Sequence, residues 1–189
     1  MHHWLRRGPG AGPSGRGFPS VTYDSDNKKL LYFGGTTGVG MNDLWENDGS
    51  GWRERFTASA KPPPRFQAQF AYDSLHHYAV VYGGETPSGT DFNTWLWDGT
   101  NWTQKVTAHT PPDTRSGAMT FDSARGKTVL VSNTIPLETW EFDGTDWTQK
   151  ITTTTPSARY FPALVFDPIR GKTIMFGGGT DGFVANGET

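Results

Sequence analysis

Three segments of the sequence share a pattern that is typical of a β-hairpin. Each segment has two tryptophans seven residues apart, with an Asp-Gly pair between them. The tryptophan pairs are Trp45 and Trp52, Trp95 and Trp102, and Trp140 and Trp147. Asp-Gly between apolar residues is a strong hairpin signal, because glycine accepts the positive φ that a tight turn requires. The near-constant spacing of the three hairpins predicts a chain built from β-strand repeats.

An arginine and an aromatic-Asp pair mark the first strand of each repeat. The arginines are Arg16, Arg65, Arg115 and Arg159. The aspartates are Asp24, Asp73, Asp122 and Asp167, with spacings of 49, 49 and 45 residues. We therefore divide a single domain, 1–189, into repeats of about 16–64, 65–114, 115–158, and 159–189 together with 1–15. No 3.6-residue period is sustained, so the predicted fold class is all-β.

Each repeat is expected to contain four strands, A to D, with the Asp-Gly turn between C and D. Strand B is continuously apolar, as in 79–82 and 173–176, and is expected to be buried on both faces. The fourth repeat is incomplete in this pattern. Its A and B strands end the chain, while Trp4 stands twelve residues before Arg16, as Trp147 stands twelve residues before Arg159. The segment at Trp4 is therefore interpreted as a strand D, and strand C of this repeat is missing.

Composition narrows the function classes. The formal net charge of −2 gives no broad cationic face for nucleic acid. No apolar run approaches the length of a membrane span. Residues 1–7 lack the apolar core of a signal peptide, so none is expected in this chain, and the compartment stays open. The absence of cysteine excludes disulfides and thiol chemistry.

The repeats resemble the kelch repeat, especially its bacterial form. The resemblance rests on the Asp-Gly-x-x-Trp hairpin and on a Gly-Gly pair after strand B, at Gly34-Gly35, Gly83-Gly84 and Gly177-Gly178. It implies a β-propeller. Kelch propellers include protein-interaction scaffolds, sugar-binding modules and enzyme domains of the galactose oxidase type, whose copper chemistry needs a cysteine. The third repeat departs from the pattern, with Ser132-Asn133 in place of Gly-Gly.

Two closures are compatible with the incomplete fourth blade. The two ends of one chain could form a four-bladed ring, or two chains could exchange terminal strands to form one eight-bladed ring. We favour the exchanged homodimer. The third alternative is that the sequence is a fragment of a longer propeller.

The recurring arginines and two glutamines are the candidate ligand-binding residues. Strand A lines the central channel of a propeller, so the four arginines are expected to ring one channel mouth. Guanidinium groups bind phosphate or carboxylate in bidentate fashion, which suits a small anionic or glycan ligand. Gln67 and Gln69 occupy alternate positions of strand A and are expected to face the channel. The alternative is structural, with each arginine bonded to a neighbouring carbonyl or carboxylate.

Histidines are the candidate metal ligands. His76 and His77 replace the Arg-Gly of two other A–B turns, and the His77 position is expected to have positive φ. Imidazoles suit a divalent metal such as zinc. Adjacent histidines cannot easily direct both rings at one ion, and His2-His3 are equally interpreted as cloning residues.

Two functions follow from these observations. The first is a ligand- or protein-binding propeller module that uses the B–C and D–A connections around the arginine-ringed mouth. The alternative is a metal-dependent hydrolase of activated phospho- or carboxylic esters, with a histidine-bound cation supplying hydroxide. The recurring tryptophans are assigned to packing and the recurring aspartates to turn formation.

Overall fold

The computed structural model describes residues 12–58 and 60–180, and all of its regular elements are β-strands. Sheet 1 contains β1 (Ser20–Asp24), β2 (Lys29–Phe33), β3 (Leu44–Asn47) and β4 (Trp52–Arg55). Sheet 2 contains β5 (Gln69–Asp73), β6 (Tyr78–Tyr82), β9 (Thr94–Trp97) and β10 (Trp102–Lys105). A short hairpin, β7 (Glu85–Thr86) and β8 (Gly89–Thr90), interrupts its B–C connection. The all-β prediction is confirmed.

The second half of the chain repeats this plan. Sheet 3 contains β11 (Ala118–Asp122), β12 (Lys127–Val131), β13 (Thr139–Phe142) and β14 (Trp147–Lys150). Sheet 4 contains β15 (Ala163–Asp167) and β16 (Lys172–Phe176). All paired strands are antiparallel and follow one another in sequence order within each sheet. The predicted strand D at Trp4 lies outside the described residues.

An aspartate closes each turn between the first two strands of a sheet. Asp24 accepts hydrogen bonds from the backbone N–H groups of Asp26 and Asn27. The equivalent bonds are made by Asp73, Asp122 and Asp167. Because a carboxylate oxygen satisfies two turn donors at once, the residue that ends the strand also fixes the turn. The assignment of these aspartates to turn formation is confirmed.

Consecutive sheets pack face to face through their apolar side chains. The inner strands β1, β5, β11 and β15 lie side by side in that order. Between sheets 1 and 2, the ring of Phe33 lies 5.1 Å from that of Trp102. Between sheets 2 and 3, Trp147 is fully buried, its ring is 5.1 Å from that of Tyr82, and its Nε1 donates to Thr94 Oγ1 at 2.9 Å. Trp102 and Trp147 thus serve the predicted packing role.

The Gly-Gly pair joins one sheet to the next. Gly34 and Gly35 have φ of 63° and 95°, and the N–H of Gly35 donates to the carbonyl of Arg65 at 2.9 Å. A Cβ on Gly34 would stand 2.6 Å from that same carbonyl oxygen. Only glycine permits this approach together with the left-handed conformation. The repeat therefore keeps glycine where the backbone of the next repeat passes.

Strand B was predicted to be apolar and buried on both faces, and this holds only for internal sheets. From Ala79 to Tyr82 every residue of β6 is buried. The prediction is wrong for β16, where Phe176 is 55% exposed. Sheet 4 has a neighbouring sheet on one side only within the described residues, so its other face is open.

The described part of the chain also has no helix capable of crossing a lipid bilayer.

The buried indole of Trp147 gives a test of the packing between sheets. Trp147→Ala should lower the free energy of unfolding by about 3–5 kcal/mol, because it removes a large buried side chain and leaves a cavity. Ile151→Ala, at a side chain that is 90% exposed, is the control and should change it by less than about 0.5 kcal/mol. Urea unfolding followed by far-UV circular dichroism measures both. Equal losses in the two variants would contradict the assigned interface.

Candidate functional site

Three of the four recurring arginines bond the carbonyl of the first glycine of the Gly-Gly pair in their own repeat. Arg65 is fully buried, and its guanidinium donates to the Gly83 carbonyl at 2.8 Å and to Asp91 at 3.1 Å. Arg16 bonds the Gly34 carbonyl and Asp43, and Arg159 bonds the Gly177 carbonyl and Ser157, in the same manner. Burial lowers the pKa of Arg65, and Asp91 opposes that shift. These guanidinium groups hold the Gly-Gly joint in place.

Arg115 differs from the other three because its repeat lacks the Gly-Gly pair. The first residue of the pair is Ser132, which is not in the left-handed region. The Arg115 guanidinium donates instead to Asp113 and Glu85, each at 2.6 Å, and its side chain is 38% exposed. These bonds raise its pKa. Arg115 alone of the four presents an appreciable charged surface, and two carboxylates neutralise it.

The two candidate glutamines occupy different environments. Gln69 donates from its side-chain amide to the Thr114 carbonyl at 2.8 Å, so it ties sheet 2 to the connection that enters sheet 3. Gln67 is half-buried with φ of 57°, and its backbone N–H donates to the Phe18 carbonyl at 3.1 Å. Both residues therefore contribute to contacts between repeats at the start of the inner strand.

The two candidate metal ligands bind different carboxylates. His76 Nδ1 lies 2.8 Å from Asp73, and its ring stacks on Tyr78 at 5.6 Å. His77 Nδ1 lies 2.6 Å from Asp26, which belongs to the neighbouring sheet. His77 has φ of 61°, so the positive-φ prediction is confirmed. Since the rings diverge, they cannot share one ion.

The histidine and carboxylate side chains of the described residues do not form a zinc site elsewhere either. Across residues 12–58 and 60–180, no three histidine or carboxylate side chains are grouped to hold a metal ion. The B–C loop carboxylates are each engaged: Asp91 with Arg65, Glu85 with Arg115, and Glu138 with the indole of Trp140 at 2.8 Å. The described residues therefore give the predicted metal site and the hydrolase no support.

A cavity of about 460 Å³ lies among the four inner strands. Side chains of β1, β5, β11 and β15 line it, and Ser25, Ser74, Ser123 and Pro168 stand at the end next to the A–B turns. No charged side chain contributes to its lining. The four arginines are likewise absent from the lining, so this cavity does not have the predicted guanidinium ring.

Three phenylalanines form an aromatic group at the start of the inner strands, on the side that carries the B–C and D–A connections (the loop face). We call Phe18, Phe66 and Phe161 the mouth cluster. The Phe18 ring lies 6.4 Å from Phe66 and 6.5 Å from Phe161. Phe18 and Phe161 are 55% and 51% exposed. This part of the loop face is apolar and accessible.

The two exposed rings of the mouth cluster are held on a strained backbone. Phe18 and Phe161 have φ of 50° and 55°, a region that bulky residues rarely adopt. Hydrogen bonds between repeats maintain it: the Phe18 carbonyl accepts from Gln67, and the Phe161 N–H donates to the Ser116 carbonyl at 2.6 Å. The third repeat has Gly117 at this position, and there φ is not positive. Strain of this kind costs about 1–3 kcal/mol and is typical of functional sites.

A groove of about 350 Å³ adjoins the cluster between the first two sheets. Its lining includes Val39, which is 71% exposed, together with Phe66, Thr86 and Pro87. The B–C loop of sheet 1 forms one wall and the β7–β8 hairpin forms the other. Mouth cluster and groove make one continuous apolar surface through Phe66.

Sequence reasoning did not identify Phe18, Phe161 or Val39 as candidates. The available signal was disagreement between repeats, because the position two residues after each arginine holds Phe, Gln, Gly and Phe. The recurring residues instead maintain the repeat. The exposed aromatic side chains occur where the repeats differ.

Comparisons with known proteins reach only part of the chain. No family model matches it. Among curated proteins, a tRNA wybutosine-synthesizing protein 4 from Aspergillus oryzae is 37% identical to this chain over 73 residues. The alignment covers 37% of this chain and 7% of that protein, so the chain spans a small fraction of the relative that it matches.

The buried and exposed arginines should respond differently to truncation. Arg65→Ala should lower the free energy of unfolding by about 3–5 kcal/mol, because it empties a fully buried site and leaves the largely buried Asp91 carboxylate without its cationic partner. Arg115→Ala removes a partly exposed pair and should cost about 1 kcal/mol or less. Chemical denaturation of both variants measures the difference. A larger loss in Arg115→Ala would contradict the anchoring role of the buried guanidinium.

A histidine–aspartate pair predicts an acid-dependent loss of stability. Asp146 accepts from the backbone N–H of His109 at 3.0 Å and lies 2.6 Å from its Nδ1. These bonds lower the pKa of Asp146 from 3.8 to about 2. His109 lies in the connection between sheets 2 and 3, so these bonds join that connection to the turn between β13 and β14.

Asp146→Asn tests this pair, and Asn101 holds the equivalent place in the second repeat. A depressed folded-state pKa stabilises the protein above the unfolded value and loses that contribution as pH falls through the folded value. The advantage of the wild type over the variant should therefore be complete above about pH 4 and should vanish towards about pH 2. Denaturation curves at several pH values measure it. A difference that does not change with pH would contradict the coupling.

Proposed function

We propose that this chain is a kelch-like β-propeller module that binds a protein partner through the mouth cluster and the adjoining groove on its loop face. The propeller assignment is supported by the 45–49-residue period and by four inner strands placed side by side around a cavity. The binding assignment rests on one observation: Phe18 and Phe161 are half-exposed while the backbone holds both at positive φ.

Backbone strain and solvent exposure both make phenylalanine unfavourable at these two positions in the isolated chain. A position with φ near 50° is satisfied best by glycine, which has no Cβ. Phenylalanine adds strain and leaves apolar area in water. Neither effect stabilises the chain by itself, whereas covering one phenylalanine ring contributes about 1.5–3 kcal/mol to binding. Aromatic side chains of this kind are common anchors of protein interfaces.

A protein partner fits this surface better than an anion or a glycan. Phenylalanine offers no hydrogen-bonding group, and Glu85, which lines the adjoining groove, already bonds Arg115 at 2.6 Å. A glycan needs several free polar partners, and a phosphate needs a free guanidinium. The groove at Val39 and Pro87 instead suits an aliphatic or aromatic side chain. The partner is therefore expected to present such a side chain.

We do not propose wybutosine synthesis, which the name of the partly matching relative mentions. The aligned segment is 7% of that protein. The formal net charge of −2 also supplies no general attraction for a polyanion.

Peptides selected from a random phage-displayed library on the wild-type protein provide the probe. We expect them to carry an aromatic or large aliphatic residue. Phe18→Gly and Phe161→Gly should each raise the Kd of a selected peptide at least about tenfold, through loss of about 1.4 kcal/mol or more. Their free energies of unfolding should stay within about 1 kcal/mol of the wild type, because glycine relieves the strain.

Phe56→Gly is the matched control, since Phe56 is 84% exposed and lies outside the mouth cluster. It should leave the Kd unchanged, whereas Val39→Asp should weaken binding through the groove. Peptides that bind Phe18→Gly and Phe161→Gly as tightly as the wild type would overturn the proposal. If Arg115→Ala weakens peptide binding and Phe18→Gly does not, the recurring arginines and not the mouth cluster form the binding site.

A further inference from the structure

Contacts inside the chain show what each face of a sheet packs against. We call the face towards the preceding sheet in sequence the backward face, and the opposite one the forward face. The forward face of sheet 1 uses Phe33 to contact Phe70 and Trp102 on the backward face of sheet 2. The forward face of sheet 2 uses Tyr82 to contact Trp147 on the backward face of sheet 3. Forward faces thus pack on backward faces.

The backward face of sheet 1 is exposed although its side chains are apolar. Val21 and Tyr23 are 50% and 52% exposed. They occupy the repeat positions of Phe70 and Tyr72 in sheet 2, which are 7% and 9% exposed. Leu30 on the next strand is 41% exposed. Tyr23 and Tyr72 are the same residue type, and of the two only Tyr72 has a neighbouring sheet against its face within the described residues, which accounts for the difference in exposure.

The forward face of sheet 4 is exposed in the complementary way. Val165 and Phe176 are 58% and 55% exposed. Their counterparts in sheet 2 are Ala71 and Tyr82, which are 3% and 1% exposed because sheet 3 covers them. The backward face of sheet 4, with Leu164 and Met175, packs on sheet 3 in the ordinary way. One forward face and one backward face are therefore left uncovered within the described residues.

We propose that a second copy of this chain covers both faces, with sheet 4 of each copy packed on sheet 1 of the other. The contact would repeat the forward-on-backward packing that the chain already uses between its own sheets. Two copies satisfy both faces at once in a closed twofold arrangement. Within one chain, sheets 1 and 4 meet through the rings of Phe18 and Phe161 at 6.5 Å, a contact that leaves these faces exposed.

Sedimentation equilibrium of the full chain gives the first test. We expect a mass of twice 20.8 kDa at micromolar concentration. A mass of 20.8 kDa at every concentration reached would overturn the proposal, whether one chain closes on itself or further repeats cover the faces.

Charged substitutions on the two faces test the contact itself. Tyr23→Lys and Val165→Glu change side chains that are more than half-exposed in the single chain, so each variant should fold. Each should raise the dimer Kd at least about 100-fold, because the new charge is buried without a partner. Ile151→Glu, at a side chain that is 90% exposed and on neither face, should leave the dimer intact. A dimer that survives both face substitutions would overturn the assigned surface.

Mixing the two face variants tests the forward-on-backward pairing. A mixed dimer of Tyr23→Lys with Val165→Glu has one native interface and one in which the new lysine meets the new glutamate. Equimolar mixing should therefore restore a dimer that neither variant forms alone. Failure to restore it would overturn this pairing and indicate a like-with-like contact. Peptide binding at the mouth cluster is a separate readout, so the two proposals fail independently.

Discussion

Each sheet in this protein depends on the apolar side chains that it buries against the next one, because four strands of four or five residues form too small a core by themselves. The indole of Trp147 illustrates the interaction: it reaches across the interface, is fully buried, and donates to Thr94 in the neighbouring sheet. Stability is therefore a property of adjacent pairs of sheets, as in other repeat architectures. The uncovered faces of sheets 1 and 4 follow from the same rule, and so does the proposal that a second copy covers them.

The joint between sheets explains why the most regular residues of the chain are not its binding residues. At Gly34 the next repeat passes so closely that a Cβ would meet a carbonyl oxygen at 2.6 Å. In the next repeat, the buried Arg65 guanidinium bonds the carbonyl of Gly83, the counterpart of Gly34, and so holds that turn. Where the third repeat replaces the glycines, Arg115 turns to acidic partners. The residues that recur in every repeat maintain its structure. Positions at which the repeats differ are therefore the ones that can offer side chains to a partner.

Much of the local structure was predictable because it depends on short stretches of chain. Asp-Gly set the hairpins, the aspartate at the end of each inner strand set the turns, and the positive φ of His77 followed from glycine at the same place in two other repeats. The candidate site was predicted less well. The arginines were located at the correct end of the inner strands, but their burial depends on residues that are 18 to 27 positions away. The divergence of His76 and His77 likewise depends on Asp26 in another sheet.

The sequence by itself determined the all-β class, the repeat period, the strand order within a repeat and the identity of the turn residues, because alternation, turn chemistry and spacing act over a few residues at a time. Only the tertiary structure decided which side chains lose contact with water. Tyr23 and Tyr72 hold the same place in their repeats, yet one is half-exposed and the other buried. The physical reason is that burial is set by the neighbouring sheet, and a repeat does not encode whether it has one.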